Sequence, residues 1–262
     1  MTAMALRRGA VVKTITAAAA DPYFTEMLAG AGEVRRYAGI LRDAGVPLPG
    51  DLAVTDGPAG AEVRHAWIPG PTLLELPCWR SAEFLSAVTS VARWVRALEH
   101  TGARLDANLA NFVIPDQGNL TCIDVLPPLL ASLRPAETGP WEQVIGGLCF
   151  DTDITLCALA GYAARHLLGV LDPGPAAAGT IASVLRICPG HLRPGSLPAR
   201  WFHSRLQVME LAAAGQVSAA EAHRLLAATS VRALQAAPPA TRRQHADAAL
   251  AVMAGALDRR IT

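Results

Sequence analysis

Charge is scarce in this sequence, and what there is nearly cancels. Only 17% of the 262 residues are charged, and the formal net charge is +1. Nucleic acids and anionic membranes recruit strongly basic surfaces, so no electrostatic argument favours either as a partner. No run of about 18 uncharged apolar residues occurs, the length a membrane-spanning helix needs. The most apolar stretch, 144–170, is interrupted by Asp151, Asp153, Arg165 and His166 and reads as a buried helix pair. The opening MTAMALRRGAVVK has no apolar segment of signal-peptide length. The five cysteines (Cys78, Cys122, Cys149, Cys157, Cys188) are odd in number and scattered, without C-x-x-C or zinc-site spacing. Cys149 and Cys157 fit one helix face as core residues, and the cysteine usage as a whole fits a reducing cytoplasm. Also missing are G-x-S-x-G, H-E-x-x-H, a Walker A loop and G-x-G-x-x-G after a strand. Serine-hydrolase, zinc-protease, P-loop and dinucleotide-binding chemistry therefore have no anchor here.

What is present divides into two halves of different character. Val11 to Ile15 reads as a strand with a lysine inside it, and Asp21-Pro22 as a helix start. Glu33 to Arg42 carries Val34, Tyr37, Ile40 and Leu41 at helical spacing, and Ala44-Gly45 ends it. Leu52 to Thr55 and Glu62 to Ile68 read as strands around an Asp56–Gly60 turn. Residues 1–68 are thus expected to form a small α+β lobe. Pro69-Gly70-Pro71 interrupts the pattern, which places a hinge at 69–73, and 74–262 reads as a mainly helical lobe. Ala82 to His100 has an apolar stripe of Phe84, Leu85, Val88, Val91, Val95 and Leu98. Further helices are expected over Trp141–Gly169, Ala178–Ile187, Arg200–Ala214, Ser218–Gln235 and Thr241–Asp258. Ser218 and Glu221 have the spacing of a capping box.

The chemistry concentrates in RLDANLANFVIPDQGNLTCIDVLPP, residues 104–128. Phe112 to Ile114 and Leu120 to Ile123 read as two strands of a hairpin, and Pro115 to Asn119 is dense in turn formers. Such a hairpin carries Asn111 and Asp124 to one end, with Asp106 just before it. Phosphoryl transfer to a hydroxyl uses this set of groups. One carboxylate orients the attacking hydroxyl and accepts its proton, while an Asn and a second carboxylate hold Mg²⁺ against the nucleotide. Mg²⁺ suits a sparse set of oxygen ligands completed by water and phosphate.

The D-x-x-x-x-N and following Asp, with Lys13 in VVKTI, Glu33 in GEVRRYAGILRDAGVPLP and His65-Ala66-Trp67-Ile68-Pro69-Gly70, resemble the kinase-like fold. The closest resemblance is to its aminoglycoside phosphotransferase and choline kinase branch, and it covers about residues 9–130. It implies a bilobal α+β architecture and an ATP- and Mg-dependent enzyme. It further implies Asp106 as the catalytic carboxylate, Asn111 and Asp124 as metal ligands, and Lys13 as the phosphate contact. Glu33, with Glu26 as the competing choice, would be the partner of Lys13. The backbone of Ala66 and Ile68 would bind the adenine. The chain departs from the family pattern in three places. Gly9 is the only glycine ahead of Lys13, so the glycine-rich phosphate loop has no counterpart. Arg104 stands two residues before Asp106, where the family has His, free to pair with a carboxylate or a phosphate. Val125 follows the metal aspartate in place of the usual aromatic or glycine.

Two functions follow from this reading. The first is a phosphotransferase acting on a hydroxyl of a small molecule or on Ser/Thr of a biosynthetic peptide. The second is a kinase-like binding or regulatory protein, a pseudokinase that partners a biosynthetic enzyme. The acidic residues Glu137, Glu142, Asp151 and Asp153 make only a modest cluster, so a cationic aminoglycoside acceptor is not favoured.

Overall fold

The computed structural model describes residues 2–7, 9–15, 22–28, 30–57, 60–115, 119–171, 174–188, 192 and 195–261. The fold is α+β, mostly helical, with one four-stranded antiparallel sheet and a two-stranded ribbon. Its contacts divide it into two compact units. The first comprises 1–76 and 93–135, the second 77–92 and 136–262.

In the first unit, strands β1 (Thr2–Arg7), β2 (Ala10–Ile15), β3 (Ala53–Gly57) and β4 (Gly60–Ala66) form a sheet in the order β1-β2-β4-β3. Strand β1 was not expected from the sequence, because Met4, Ala5 and Leu6 are all exposed and show no inside/outside alternation. Backbone pairing alone defines it, through a tight turn in which Gly9 takes φ +78. The one-turn α1 (Pro22–Thr25) and the longer α2 (Ala31–Asp43) follow β2. Helix α2 buries Ala31, Val34, Tyr37, Ala38 and Leu41, a stripe at helical spacing. The Asp21 start and the Ala-rich link at 16–20 lie outside the described residues, as does the centre of the 115–119 turn.

The expected hairpin is present as β5 (Phe112–Val113) paired antiparallel with β6 (Thr121–Cys122). It clusters with the sheet, so the contact division does not follow the expected 69–73 hinge. The reason is local bonding. Cys122 N–H donates to Pro47 O, Ile114 N–H to Pro71 O, and Thr72 bridges to Val113. Gly70, at φ +138, sits so close to Ile114 O that no Cβ fits there. The Pro69-Gly70-Pro71 stretch is therefore pinned to the hairpin.

Helix α3 (Ser81–Ala97) contributes its first twelve residues, 81–92, to the second unit and the rest to the first. The second unit continues with α4 (Pro140–Phe150), α5 (Thr152–Val170), α6 (Pro175–Leu185), α7 (Leu197–Ala213), α8 (Ala219–Ala228), α9 (Val231–Ala236) and α10 (Arg242–Ile261). The apolar stretch expected as a buried helix pair is one, α4 and α5, whereas the single helix expected over Ser218–Gln235 is split into α8 and α9. Between α4 and α5 the chain turns 90° at Asp151, which adopts an extended conformation. Thr155 Oγ1 spans that break by donating to Leu148 O at 2.8 Å. Between α8 and α9, Ser230 caps the new helix by accepting from Ala233 N–H, and Arg205 holds the last carbonyls of the old one. The Ser218 side chain caps α8 as its spacing implied. No single described helix is long and apolar enough to cross a membrane.

Gly147 of α4 is where that helix meets the first turn of α7. A Cβ there would fall 2.7 Å from Pro198 Cβ. Gly→Ala inside a helix ordinarily gains about 1 kcal/mol. Here the rigid proline ring cannot yield, and overpacking costs about 1–3 kcal/mol. Gly147→Ala is therefore expected to lower the urea midpoint, whereas Gly161→Ala on α5, with open space at its Cβ, is expected to hold or raise it.

Candidate functional site

The alternation of β2 and β4 builds the floor of the site. Val11 and Lys13 on β2, and Ala61, Val63 and His65 on β4, point to the buried face, with Lys13 opposite Val63 and His65 opposite Val11. Lys13 is 5% exposed. Its ammonium donates to Ile123 O at 2.7 Å and lies 3.5 Å from Asp124 Oδ1.

The loop bearing Asp106 is shaped by its own side chains. Asp106 Oδ1 accepts from Asn108 N–H at 3.0 Å, and Asn108 Oδ1 accepts from Ala110 N–H at 3.2 Å. Short polar residues bond to backbone two positions on in this way and hold turns. A single 3-10 turn, Leu109–Asn111, then brings Asn111 back beneath Asp106, where its Nδ2 donates to Asp106 Oδ2 at 2.9 Å. A carboxylate only accepts, so the NH₂ end of Asn111 faces Asp106 and its carbonyl oxygen faces away. The peptide at Ile123 ties the cluster together. Its N–H donates to Asn111 O at 2.8 Å, and its carbonyl receives Lys13. Asp124 follows directly, with Oδ1 also accepting from Leu126 N–H at 3.2 Å. Lys13, Asp106, Asn111 and Asp124 are thus brought together within the first unit.

Electrostatics link the two carboxylates. Burial raises the pKa of Asp106. The Asn108 N–H pulls it down, the Asp124 charge pushes it up, and the Asn111 amide pulls it down again. Asp106 as a residue remains open to solvent, so water moderates that lift even though protein crowds its carboxylate. Asp124 is raised by burial against the opposing pull of Lys13, the Leu126 N–H and His65. Burial also pushes the neighbouring Cys122 thiol up to about 12, which leaves it an inert core thiol.

Other expected partners fall elsewhere. Glu33 does not hold Lys13. It stands exposed in the first turn of α2, one residue off the buried stripe and therefore about 100° around the helix. Glu26 is exposed as well. Arg104 is bonded to the backbone ahead of the loop. Its Nη1 donates to the carbonyls of Leu98, Thr101 and Ala103, tying the loop to the end of α3. The Ala66 backbone is already engaged, its N–H by Asp51 Oδ2 at 2.7 Å and its carbonyl by His65 Nδ1 at 2.8 Å. Ile68 is half-buried. In the second unit, Asp151 stands at the N-cap position of α5 and Asp153 in its first turn.

Three further residues belong to the site. Tyr37, 1% exposed, donates its hydroxyl to Arg104 O at 2.7 Å and so anchors the Asp106 loop to α2. Asn108 shapes that loop. His65 lies on the Lys13 face of the sheet. One compositional signal does mark Lys13. Of the 23 Lys and Arg residues, 22 are Arg and Lys13 is the sole lysine. A chain that otherwise uses arginine throughout keeps the compact ammonium at this one buried position, where a planar guanidinium would not substitute.

No protein-family model matches the chain. No curated protein matches it either.

Proposed function

We propose that this chain is a kinase-like phosphotransferase of the cytoplasm, which transfers the terminal phosphoryl group of ATP to a hydroxyl of a small molecule or of Ser/Thr in a biosynthetic peptide. One observation carries the reading. The Ile123–Asp124 segment gathers the sole lysine, the Asn111 backbone and a carboxylate at one point, with Asp106 bonded to Asn111 beside it. We read the sheet and α2 as the small lobe of a kinase-like bilobal fold, and the helices of the second unit as its larger lobe.

The residues fit a divalent cation. The Asn111 amide presents its carbonyl oxygen once its NH₂ is spent on Asp106. Asp106 and Asp124 both resist ionisation, a penalty that nearby positive charge would relieve. Mg²⁺ at Asn111 and Asp124 would neutralise charge on the transferring phosphoryl group. Asp106 orients the acceptor hydroxyl and receives its proton. Lys13, held by Ile123 O and Asp124, presents a fixed positive charge to the nucleotide phosphates.

ADP release in Mg-ATP with a panel of hydroxyl acceptors tests this. Wild type is expected to turn over, and Asp106→Ala to fall about 10²–10⁴-fold, the range for loss of a positioned base. ATP at 100 times its Kd is expected to stabilise the protein by about 2.7 kcal/mol. Equal rates in wild type, Asp106→Ala and Asp124→Ala would discard the catalytic reading.

A regulatory kinase-like protein is the second reading. It is favoured by the engaged Ala66 backbone and by the tight turn at Gly9, where a phosphate-cradling loop would otherwise stand ahead of the lysine strand. Nucleotide binding without turnover would select it.

A further inference from the structure

His65 carries a polar atom that the proposed chemistry leaves unused. It is 2% exposed, and its Nε2 is buried with no hydrogen-bond partner among the described residues. Its Nδ1 lies 2.8 Å from Ala66 O. A carbonyl only accepts, so Nδ1 carries the hydrogen and Nε2 presents a bare lone pair. The ring shares the buried face of β2 and β4 with Lys13 and lies within electrostatic reach of Asp124. The described bonds to Asp124 all end on Oδ1, namely the Lys13 ammonium and the Leu126 N–H, which leaves Oδ2 available.

An imidazole that donates one N–H to a backbone carbonyl and turns the other nitrogen inward is the arrangement in which histidines bind metals. The carbonyl fixes the tautomer and raises the basicity of the ligating nitrogen. We propose that His65 Nε2 is a ligand of the cation held by Asp124 and Asn111, so that the site prefers a first-row transition ion such as Mn²⁺ over Mg²⁺. The proposal rests on the reading of Asp124 and Asn111 as cation ligands. Among the described residues no group of three or more His, Cys, Asp or Glu side chains surrounds a metal position. The set proposed here has only two such residues, with the Asn111 carbonyl oxygen as the third donor and substrate or water oxygens completing the shell. Mg²⁺ demands oxygen ligands and keeps its waters, whereas first-row ions accept imidazole nitrogen.

The test uses the full chain without nucleotide. Mn²⁺ and Mg²⁺ are titrated separately by calorimetry into wild type and His65→Leu. Wild type is expected to bind Mn²⁺ about tenfold or more tightly than Mg²⁺, and His65→Leu to lose that preference. Electron spin echo modulation of bound Mn²⁺ in protein labelled with ¹⁵N-histidine is expected to show a directly coupled nitrogen. The chain has seven histidines, so its disappearance in His65→Leu assigns it. This wild-type spectrum stands whether or not the variant folds. Mn²⁺ bound equally well by His65→Leu, or without nitrogen coupling, overturns the His65 assignment and leaves an oxygen-only cation site in place. Failure of both ions to bind wild type overturns the cation reading itself.

Discussion

Asp124→Ala is expected to lose about 3 kcal/mol of folding stability, well beyond an ordinary surface substitution. Removing one partner of a buried ion pair costs about 3–5 kcal/mol, because the other charge stays behind without compensation. Lys13 is the partner left behind, its side chain 6% exposed on the inner face of the sheet. The expected loss sits at the lower end of the range for two reasons. The ammonium keeps its bond to Ile123 O, and the Asp124 side chain is 21% exposed and itself penalised by burial. Replacing both charges together, as Lys13→Met with Asp124→Ala, is expected to recover most of the loss. A buried pair exchanged for apolar residues is often close to neutral. Glu33→Ala is the control, since sequence order names Glu33 as the partner of Lys13. Its exposed position predicts a change within about 0.5 kcal/mol. Urea unfolding of the four proteins checks the set. A Glu33→Ala loss as large as that of Asp124→Ala would reassign the lysine.

That contrast marks where the sequence stops being legible. Helical spacing located α2 and the burial of Val34, Tyr37 and Leu41, and strand alternation located β2 and β4. The same spacing already places Glu33 off the buried stripe and so argues against its pairing with Lys13. It does not supply Asp124 instead, because that pair joins residues 111 positions apart and depends on how the β5–β6 ribbon meets the sheet. Strand β1 left no trace because Met4, Ala5 and Leu6 are all exposed. The break at Ser230 was invisible for the opposite reason. Apolar periodicity runs through it, and a side-chain cap at Ser230 decides it, whereas the pair around Asp151 was legible from the charges that interrupt 144–170. His65 was legible in part. It falls in phase with Ala61 and Val63, at an inward position of a half-buried strand, but only the Nδ1 bond shows which nitrogen is left over.

Asp106→Asn separates catalysis from stability at the same residue. Its expected activity loss is about 10²–10⁴-fold, since the amide has the carboxylate's shape but cannot accept a proton. Its effect on folding is read from pH. Burial and the Asp124 charge raise the Asp106 pKa in the folded state, so the native protein holds the proton more tightly than the unfolded chain does. The penalty of ionising Asp106 is therefore absent below the unfolded value of about 4. It grows as pH rises through the folded value, and it is constant above that. Relative to wild type, Asp106→Asn must gain stability as pH rises from about 4 towards 7 and level off once the native carboxyl has ionised. The amide also gives up one acceptor, either for Asn108 N–H or for Asn111 Nδ2, at a cost of about 0.5–1.5 kcal/mol. Solvent access at Asp106 keeps the charge term below about 1 kcal/mol. The two effects are comparable, so the sign of the difference at one pH decides nothing. The slope decides, because the lost hydrogen bond does not titrate. Thermal unfolding of both proteins at closely spaced pH values measures that slope. A difference that is flat, or that falls with pH, would mean the carboxylate is adequately solvated in the fold and feels no repulsion from Asp124. Added Mg²⁺ provides the second axis. A cation held at Asn111 and Asp124 is expected to flatten the wild-type slope, and to change that of Asp106→Asn less.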